Sequence, residues 1–283
     1  MNADGSRRWL RPKAAMGRWW QRRRIVAWIL MVLFTAIPWI ELPAGPLMRF
    51  DLVNRDFWFL GVSFRPTDSL LLMLLMLGIF LSIFLLTALT GRGWCGWACP
   101  QTVYLEFLFR PVERAVKNKI LRWTIFTILA LHLSNTFLSY FASPRTVLEW
   151  SIGSPTSHPA AFAVVMVIAA LILIDFGWFR EQMCTLVCPY ARLQSVLLDR
   201  NSLIIGYDEK RGEPRGKLKT GSEQGAGDCI DCKLCVAACP TGIDIRDGLQ
   251  LECVACVQCV DACDAVMDKI DRPRGLIRFA SQN

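Results

Sequence analysis

Histidine is almost missing from this chain, with only His132 and His158 in 283 residues. A haem held by two histidines needs both at matching depths on facing helices. His158 stands beside Pro159 in a polar stretch, so that cofactor is disfavoured, and His132 is expected to hydrogen-bond near Ser134 or Asn135. Charge is scarce over four long stretches: Ile25 to about Leu42, Ser69 to Thr90, about Trp123 to Phe141, and about Ala160 to Trp178. Each approaches the ~20 apolar residues that cross a bilayer. A signal peptide is excluded for the first, because its apolar run is long and no small-residue cleavage site follows. Pro38 is tolerable in a span when neighbouring helices satisfy the freed carbonyl.

What is abundant fits these absences. Hydrophobic residues make up 53% of the chain and the mean hydropathy is +0.34, which points to a membrane protein. Lys and Arg number eight before Ile25, three in 41–68, six in 91–122, and one, Arg145, in 142–159. That alternation puts both termini in the cytoplasm. It also accounts for most of the +8 charge and the pI near 9.0, so no nucleic-acid partner is needed. Trp39, Trp58 and Trp123 fit interfacial belts. Asp175, near the inner end of the fourth stretch, is an intramembrane acid with two readings: a functional group that carries a proton or steadies a cation near the cysteines, or a partner of Arg180 or another cytoplasmic base. Met73, Met76 and Met166 are read as filler in the spans.

From Asn201 the texture turns polar, and the glycines and charges over 201–228 read as a linker. Beyond it, CIDCKLCVAACP and CVACVQCVDACD carry C-x2-C-x2-C-x3-C twice, holding eight of the twelve cysteines. This spacing groups three thiolates on a tight loop with a fourth from the other run, the pattern of two [4Fe-4S] clusters. One set is Cys229, Cys232, Cys235 and Cys263; the other is Cys253, Cys256, Cys259 and Cys239. Structural zinc uses cysteine pairs with a longer spacer, and cytoplasmic thiols stay reduced. The second run ends in Asp264 where the first has Pro240, which leaves the eight ligands in place.

The stretch GRGWCGWACP spells G-x-G-x-x-G at Gly91, Gly93 and Gly96, but it follows an apolar run, with no acid ending a following strand. The dinucleotide reading therefore fails on context. The three glycines are expected to turn the backbone as it leaves the bilayer. A second copy of the cysteine pattern, MCTLVCPY, follows the fourth stretch as WCGWACPQ follows the second. Each unit is a helical hairpin followed by C-x3-C-P, an internal repeat. If the two repeats are parallel, Cys95, Cys99, Cys184 and Cys188 lie at one cytoplasmic depth and converge. The proline after each second cysteine biases that cysteine out of helix and starts the next one. Such thiols bind Cu(I), ligate a further cluster, or cycle between dithiol and disulfide; spacing does not rank these.

The strings GRGWCGWACPQTVYLE, FGWFREQMCTLVCPYARLQSVLLDRNSLIIGYDEKRGEPRG, GDCIDCKLCVAACPTGIDIRDGLQLECVACVQCVDACD and RPRGLIRF resemble the CcoG/FixG/RdxA family of cytochrome c oxidase accessory proteins. The resemblance implies a bacterial inner-membrane, multi-pass polyferredoxin that reduces Cu(II) to Cu(I) for assembly of a haem–copper oxidase. Cys95, Cys99, Cys184 and Cys188 would be its catalytic, copper-binding residues. It also implies oxidase-assembly or copper-delivery proteins as partners; the electron donor, quinol or a cytoplasmic carrier, is left open by the sequence. The loop at Phe107 to Arg122 is shorter than the family's. The family's further span and immunoglobulin-like domain are expected to be lacking after Asn283.

The expected fold is mostly α: a four-span helical bundle of two parallel hairpin repeats plus a cytoplasmic two-cluster ferredoxin domain of α+β type. Its expected segments are a basic tail (1–24), a membrane domain (25–200), a linker (201–228), the ferredoxin domain (229–272) and a tail (273–283). Two rival functions remain: an electron-transfer subunit serving a partner nitrate or nitrous oxide reductase, and a non-enzymatic copper-binding assembly factor.

Overall fold

Each of the four apolar stretches supplies a helix, with boundaries that differ from those expected. In the computed structural model residues 12–51, 55–65, 69–216 and 227–281 are described; Arg7, Arg8 and Arg11 of the basic tail, and 217–226 of the expected linker, lie outside them. The chain divides into two units. One comprises Met1–Val26, Phe84–Thr102 and Glu181–Asn283, and the other Ala27–Ile83 and Val103–Arg180.

In the second of these units, the helix Ser69–Thr90 belongs for most of its length, and Pro159 opens the helix Pro159–Ile174 at its first position, where proline's fixed φ suits helix initiation. A π-helical turn, Asp175–Phe179, continues the latter. Among the described residues, Leu70–Thr90 and Pro159–Phe179 are the two helices long and apolar enough to cross a membrane. At ~1.5 Å per residue, a helix of about 21 residues covers about 30 Å, the hydrocarbon thickness. Leu70–Thr90 is mostly exposed and Pro159–Phe179 about half exposed, with Leu70, Leu77, Leu81, Val167 and Leu171 open on their surfaces.

The other two expected spans fall short of that test. The helix Arg18–Ala36 gives way at Ile37–Trp39 to a 3-10 turn around Pro38, and Glu41–Leu42 is already strand. Proline cannot donate to an i−4 carbonyl, which stops the helix, so its apolar part, Ile25 to Ala36, covers only about 18 Å. The helix Lys119–Leu138, capped by the Asn118 side chain on the Ile120 N–H, carries Lys119, Arg122, His132, Ser134 and Asn135 among its apolar residues. His132 is exposed, and its expected neighbours bond elsewhere: the Ser134 hydroxyl donates to the Val165 carbonyl at 2.7 Å and the Asn135 amide to the Leu131 carbonyl at 2.8 Å. The stretch between the first two helices folds as a hairpin (Glu41–Leu42 with Gly45–Pro46) and a three-stranded antiparallel meander (Met48–Asp51, Asp56–Phe59, Val62–Phe64). Phe50 pairs across strands with Phe57, their ring centroids 4.4 Å apart. The guanidinium of Arg180 is bound at 2.8 Å by Glu113, while the Asp175 backbone carbonyl accepts the Arg180 N–H at 2.6 Å.

In the other unit a two-stranded antiparallel sheet, Ile204–Tyr207 with Ile277–Ala280, closes the ends of the polar third on one another in the register Ile205↔Phe279 and Tyr207↔Ile277. Ile205, Ile277, Val257 and Val260 are buried around it. This corrects the domain boundaries: 204–216 is not free linker, since Ile204–Tyr207 is strand and Glu209–Gly212 a helical turn capped by Asp208, and Ile277–Ala280 is strand within the core, not tail. The basic tail is likewise drawn in. The Lys13 N–H donates to the Ala237 carbonyl, and the N–H groups of Trp19 and Trp20 donate to the buried Asp261 carboxylate at 3.2 and 2.7 Å. An acid at the first turn of Arg18–Ala36 suits the helix dipole. Trp19 packs edge-on to Trp97 and Phe279. These anchors reflect tertiary contacts that a charge count cannot register.

Candidate functional site

The two cysteine runs fold alike. In the first, Asp231 and Lys233 take φ of +50° and +56°; in the second, Ala255 and Val257, at the same places between the cysteines, take +52° and +55°. A left-handed φ is costly for any residue with a Cβ and most of all for a β-branched one such as Val257, which is 1% exposed. Repeated in both runs, it gives each loop the same left-handed turns, and residues in that conformation are a component of the backbone nests that receive anionic groups such as iron–sulfur clusters. A helix then carries the third cysteine away: Leu234–Ala238 after the first loop and Gln258–Lys269 after the second.

Cys239 lies close enough to Cys253, Cys256 and Cys259 for its charge to be felt at each, and Cys263 stands in the same relation to Cys229, Cys232 and Cys235. Cys239, Cys253, Cys256 and Cys259 line one hollow, together with Cys235 and apolar residues including Ile205 and Val257. Among the described residues no three His, Cys, Asp or Glu side chains close on a single ion; these thiols surround a volume. Four thiols about a volume, on loops with left-handed turns between the cysteines, fit a [4Fe-4S] cubane. Burial pushes the Cys256 and Cys263 thiols up to about 12 and Cys235 to about 11, so cluster loading must displace protons. Cys232 is the exposed member of the first run.

Arg246 fixes the first loop. Its guanidinium forks onto Asp244 at 2.8 and 2.6 Å and reaches Asp231, between Cys229 and Cys232, at 2.6 Å.

The two C-x3-C-P motifs share this unit with the cysteine runs. Pro100 opens the helix Pro100–Tyr104 and Pro189 the helix Pro189–Leu197, with Cys188 extended at its N-cap (φ −67°, ψ 112°), as the spacing predicts. Cys95 sits in the short helix Gly93–Trp97, and Cys184 half-buried on the π-helical turn Met183–Val187; single π turns recur at functional sites. Three contacts bring the segments that carry the motifs together. The Thr87 and Tyr190 hydroxyls meet at 3.0 Å, Arg92 donates to the Ala191 carbonyl at 2.7 Å, and Cys95 Sγ lies 3.1 Å from Gln194 Oε1. Cys95 is thereby near Cys99 and Cys188, and burial, then those neighbours, pushes its thiol up to about 12.

Sequence reasoning missed Gln194. It is fully buried, and its Nε2 finds no hydrogen-bond partner among the described residues, although its Oε1 takes the Cys95 thiol. No motif marks it; only its place, six residues past Cys188, could have drawn attention. The three glycines also divide differently from expectation. Gly91 does turn the chain, at φ +58°, but Gly96 is helical and is there for closeness, because a Cβ on it would stand 2.3 Å from the Ala255 carbonyl oxygen.

With this geometry in place, the likenesses to known proteins are informative. A family profile described as "4Fe-4S dicluster domain" matches residues 179–282, and one described as "4Fe-4S binding domain" matches residues 72–119, which take in Cys95 and Cys99. RdxA of Cereibacter sphaeroides is 37% identical over 89% of this chain and 59% of its own length, and RdxB of the same organism 38% over 95% and 61%. The nitrogen fixation protein FixG of Rhizobium meliloti is 35% identical over 97% of this chain and 57% of its own. The chain therefore spans about three fifths of the length of these curated relatives. No solved structure matches it.

Proposed function

We propose that this chain, which belongs to the FixG/RdxA family of iron–sulfur electron-transfer proteins, is a membrane-bound reductase that converts Cu(II) to Cu(I) for assembly of a haem–copper cytochrome c oxidase. Cys229, Cys232, Cys235 and Cys263 would hold one [4Fe-4S] cluster, and Cys253, Cys256, Cys259 and Cys239 the other. Two such clusters, when bound, supply one-electron stores.

The chain's own thiols do the rest. Cys95, Cys99, Cys184 and Cys188 bind copper, and soft thiolates favour Cu(I) over Cu(II), so their donor set draws the ion toward its reduced state. Each ion takes one electron and no proton. Burial of Cys95 beside Gln194 excludes water from the thiol, which protects the Cu(I) product. The apolar helices Leu70–Thr90 and Pro159–Phe179 anchor the protein in the bilayer. In the full arrangement Arg18–Ala36 and Lys119–Leu138, which by themselves fall short of the length-and-composition test, are also taken to cross, and both termini lie in the cytoplasm. A quinol or a cytoplasmic carrier supplies electrons, and a copper-delivery or oxidase-assembly protein receives the metal.

The observation that carries this reading is the gathering of Cys95, Cys99 and Cys188 in the same packed unit as both cysteine runs. The test is copper(II) reduction by dithionite-reduced protein, followed by cluster bleaching, in wild type and in a Cys95→Ala, Cys184→Ala double variant. Stoichiometric reduction that the variant loses supports a reductase. Reduced clusters that ignore copper in the wild type would move the assignment to a carrier serving a partner reductase. The match of residues 72–119 to a 4Fe-4S binding family favours one second reading, a further cluster at the C-x3-C-P thiols. Iron analysis separates the two: about eight irons per chain for two cubanes against about twelve for three.

A further inference from the structure

Two buried arginines and one glycine lie where the first C-x3-C-P motif meets the second cysteine run. Arg23, 2% exposed, donates from Nε to the Gly96 carbonyl at 2.8 Å and from an Nη to the Cys256 carbonyl at 2.9 Å. Arg92, 7% exposed, donates to the carbonyls of Leu251 and of Cys253, the latter at 3.2 Å, and to Ala191 at 2.7 Å. One guanidinium thus joins the segment before Cys95, the helix after Cys188 and the loop that opens the second run. Between them the backbone of Gly96 lies flat on that loop. An added Cβ would stand 2.3 Å from the Ala255 carbonyl oxygen and 2.7 Å from that of Val254, closer than real Cβ contacts come.

Apart from the Gly96 and Ala191 carbonyls, these partners are main-chain atoms of 251–256, in or beside the second run. Such contacts fix where a loop stands without depending on the side chains it carries. Both guanidinium charges are also felt at this run, Arg92 at Cys253 and Arg23 at Cys256. Around the first run the nearby Arg246 is offset by Asp244 and Asp231. Charge and hydrogen bonding around the ligands are what set a cluster's potential, so the two runs are tuned by different residues.

We propose that Gly96, Arg23 and Arg92 are positioning residues that seat the first C-x3-C-P motif on the loop Cys253–Cys256, coupling the thiol site to the second cysteine run and not to the first. The inference rests on the two-cluster reading of the runs but not on copper being the substrate. Placing a cationic pair beside the second run stabilises extra negative charge there, so that run's group has the higher reduction potential of the two. Electrons then settle next to Cys95 and Cys99.

The test uses the full-length protein in detergent, with iron content measured first. Gly96→Ala and Arg23→Gln are compared with Asp231→Asn, which alters the first loop. Redox titration by electron paramagnetic resonance follows the two reduced-cluster signals. The expected result is that Gly96→Ala and Arg23→Gln move one midpoint, Arg23→Gln downward, while Asp231→Asn moves the other, and that Arg23→Lys restores the first. Hydrogen exchange gives a readout independent of clusters: Gly96→Ala should speed exchange several-fold at 253–257 and leave 231–235 unchanged. The proposal is overturned if Gly96→Ala and Asp231→Asn move the same midpoint, or if exchange at 253–257 does not respond. Should Gly96→Ala fail to fold, Arg92→Lys replaces it, with the same selective exchange at 253–257 expected. Iron well below about eight per chain in wild type would defeat the two-cluster reading, while exchange would still decide the packing.

Discussion

The guanidinium of Arg246 is 5% exposed and shared between Asp244 and Asp231, and its hydrogen bonds hold the Asp244 carboxyl below its ordinary value. A carboxyl held low in the fold stabilises it fully above the unfolded value, about 3.9, and that contribution disappears as the pH falls through the folded value. Asp244→Asn should therefore cost about 1 kcal/mol at neutral pH, a figure reduced for solvent screening. The cost should shrink as the pH falls below the unfolded value and through the folded one. Denaturant titration of the two proteins at several pH values checks this, and a difference that stays constant as the carboxyl is protonated would refute it. None of it is legible in GIDIRDG beyond the presence of alternating charges. Gln194 was equally silent: a glutamine among apolar residues looks solvated until the fold closes over it and sets it against Cys95.

Elements were more legible than residues. Long apolar runs forced the helices Ser69–Thr90 and Pro159–Ile174, and the prolines at positions 100 and 189 set the starts of the helices after each second cysteine. The strand Ile204–Tyr207 was hidden, because four residues beside a charged segment give too little pattern, and its stability comes from Ile277–Ala280, 70 positions later in the ladder's Tyr207↔Ile277 pair. The span test also belongs at this scale. Leu77, 50% exposed near the middle of Ser69–Thr90, should face lipid. Leu77→Arg should then cost about 2.5–3.5 kcal/mol of insertion free energy. A glycosylation-based insertion assay reads this directly; insertion as efficient as wild type would argue that the helix is covered by protein.

For the whole molecule, the basic count predicts which loops face which compartment. Arg23, Arg92 and Arg110 are buried, so three of the charges counted toward orientation serve packing. Enough remain around Arg18, Arg22, Arg24, Arg114, Lys117 and Arg122 to keep the expected bias. A phosphatase reporter active only outside the cytoplasm should be silent when fused after Asn283 and active when inserted at Gly153. The reverse pattern would invert the proposed topology and put the cysteine runs on the wrong side for a cytoplasmic donor.

By itself the sequence determined the number and spacing of thiols, the iron–sulfur class, the apolar runs that call for a bilayer and the family. Each of these is carried by local spacing or by composition, which survive without knowing what touches what. Only the tertiary structure decided that the N-terminal segment is part of the ferredoxin module and that Gly96 lies on the Ala255 carbonyl. Those pairings join residues far apart in the chain, and their energy comes from burial and from hydrogen bonds to backbone atoms, which every residue possesses alike and no residue type announces.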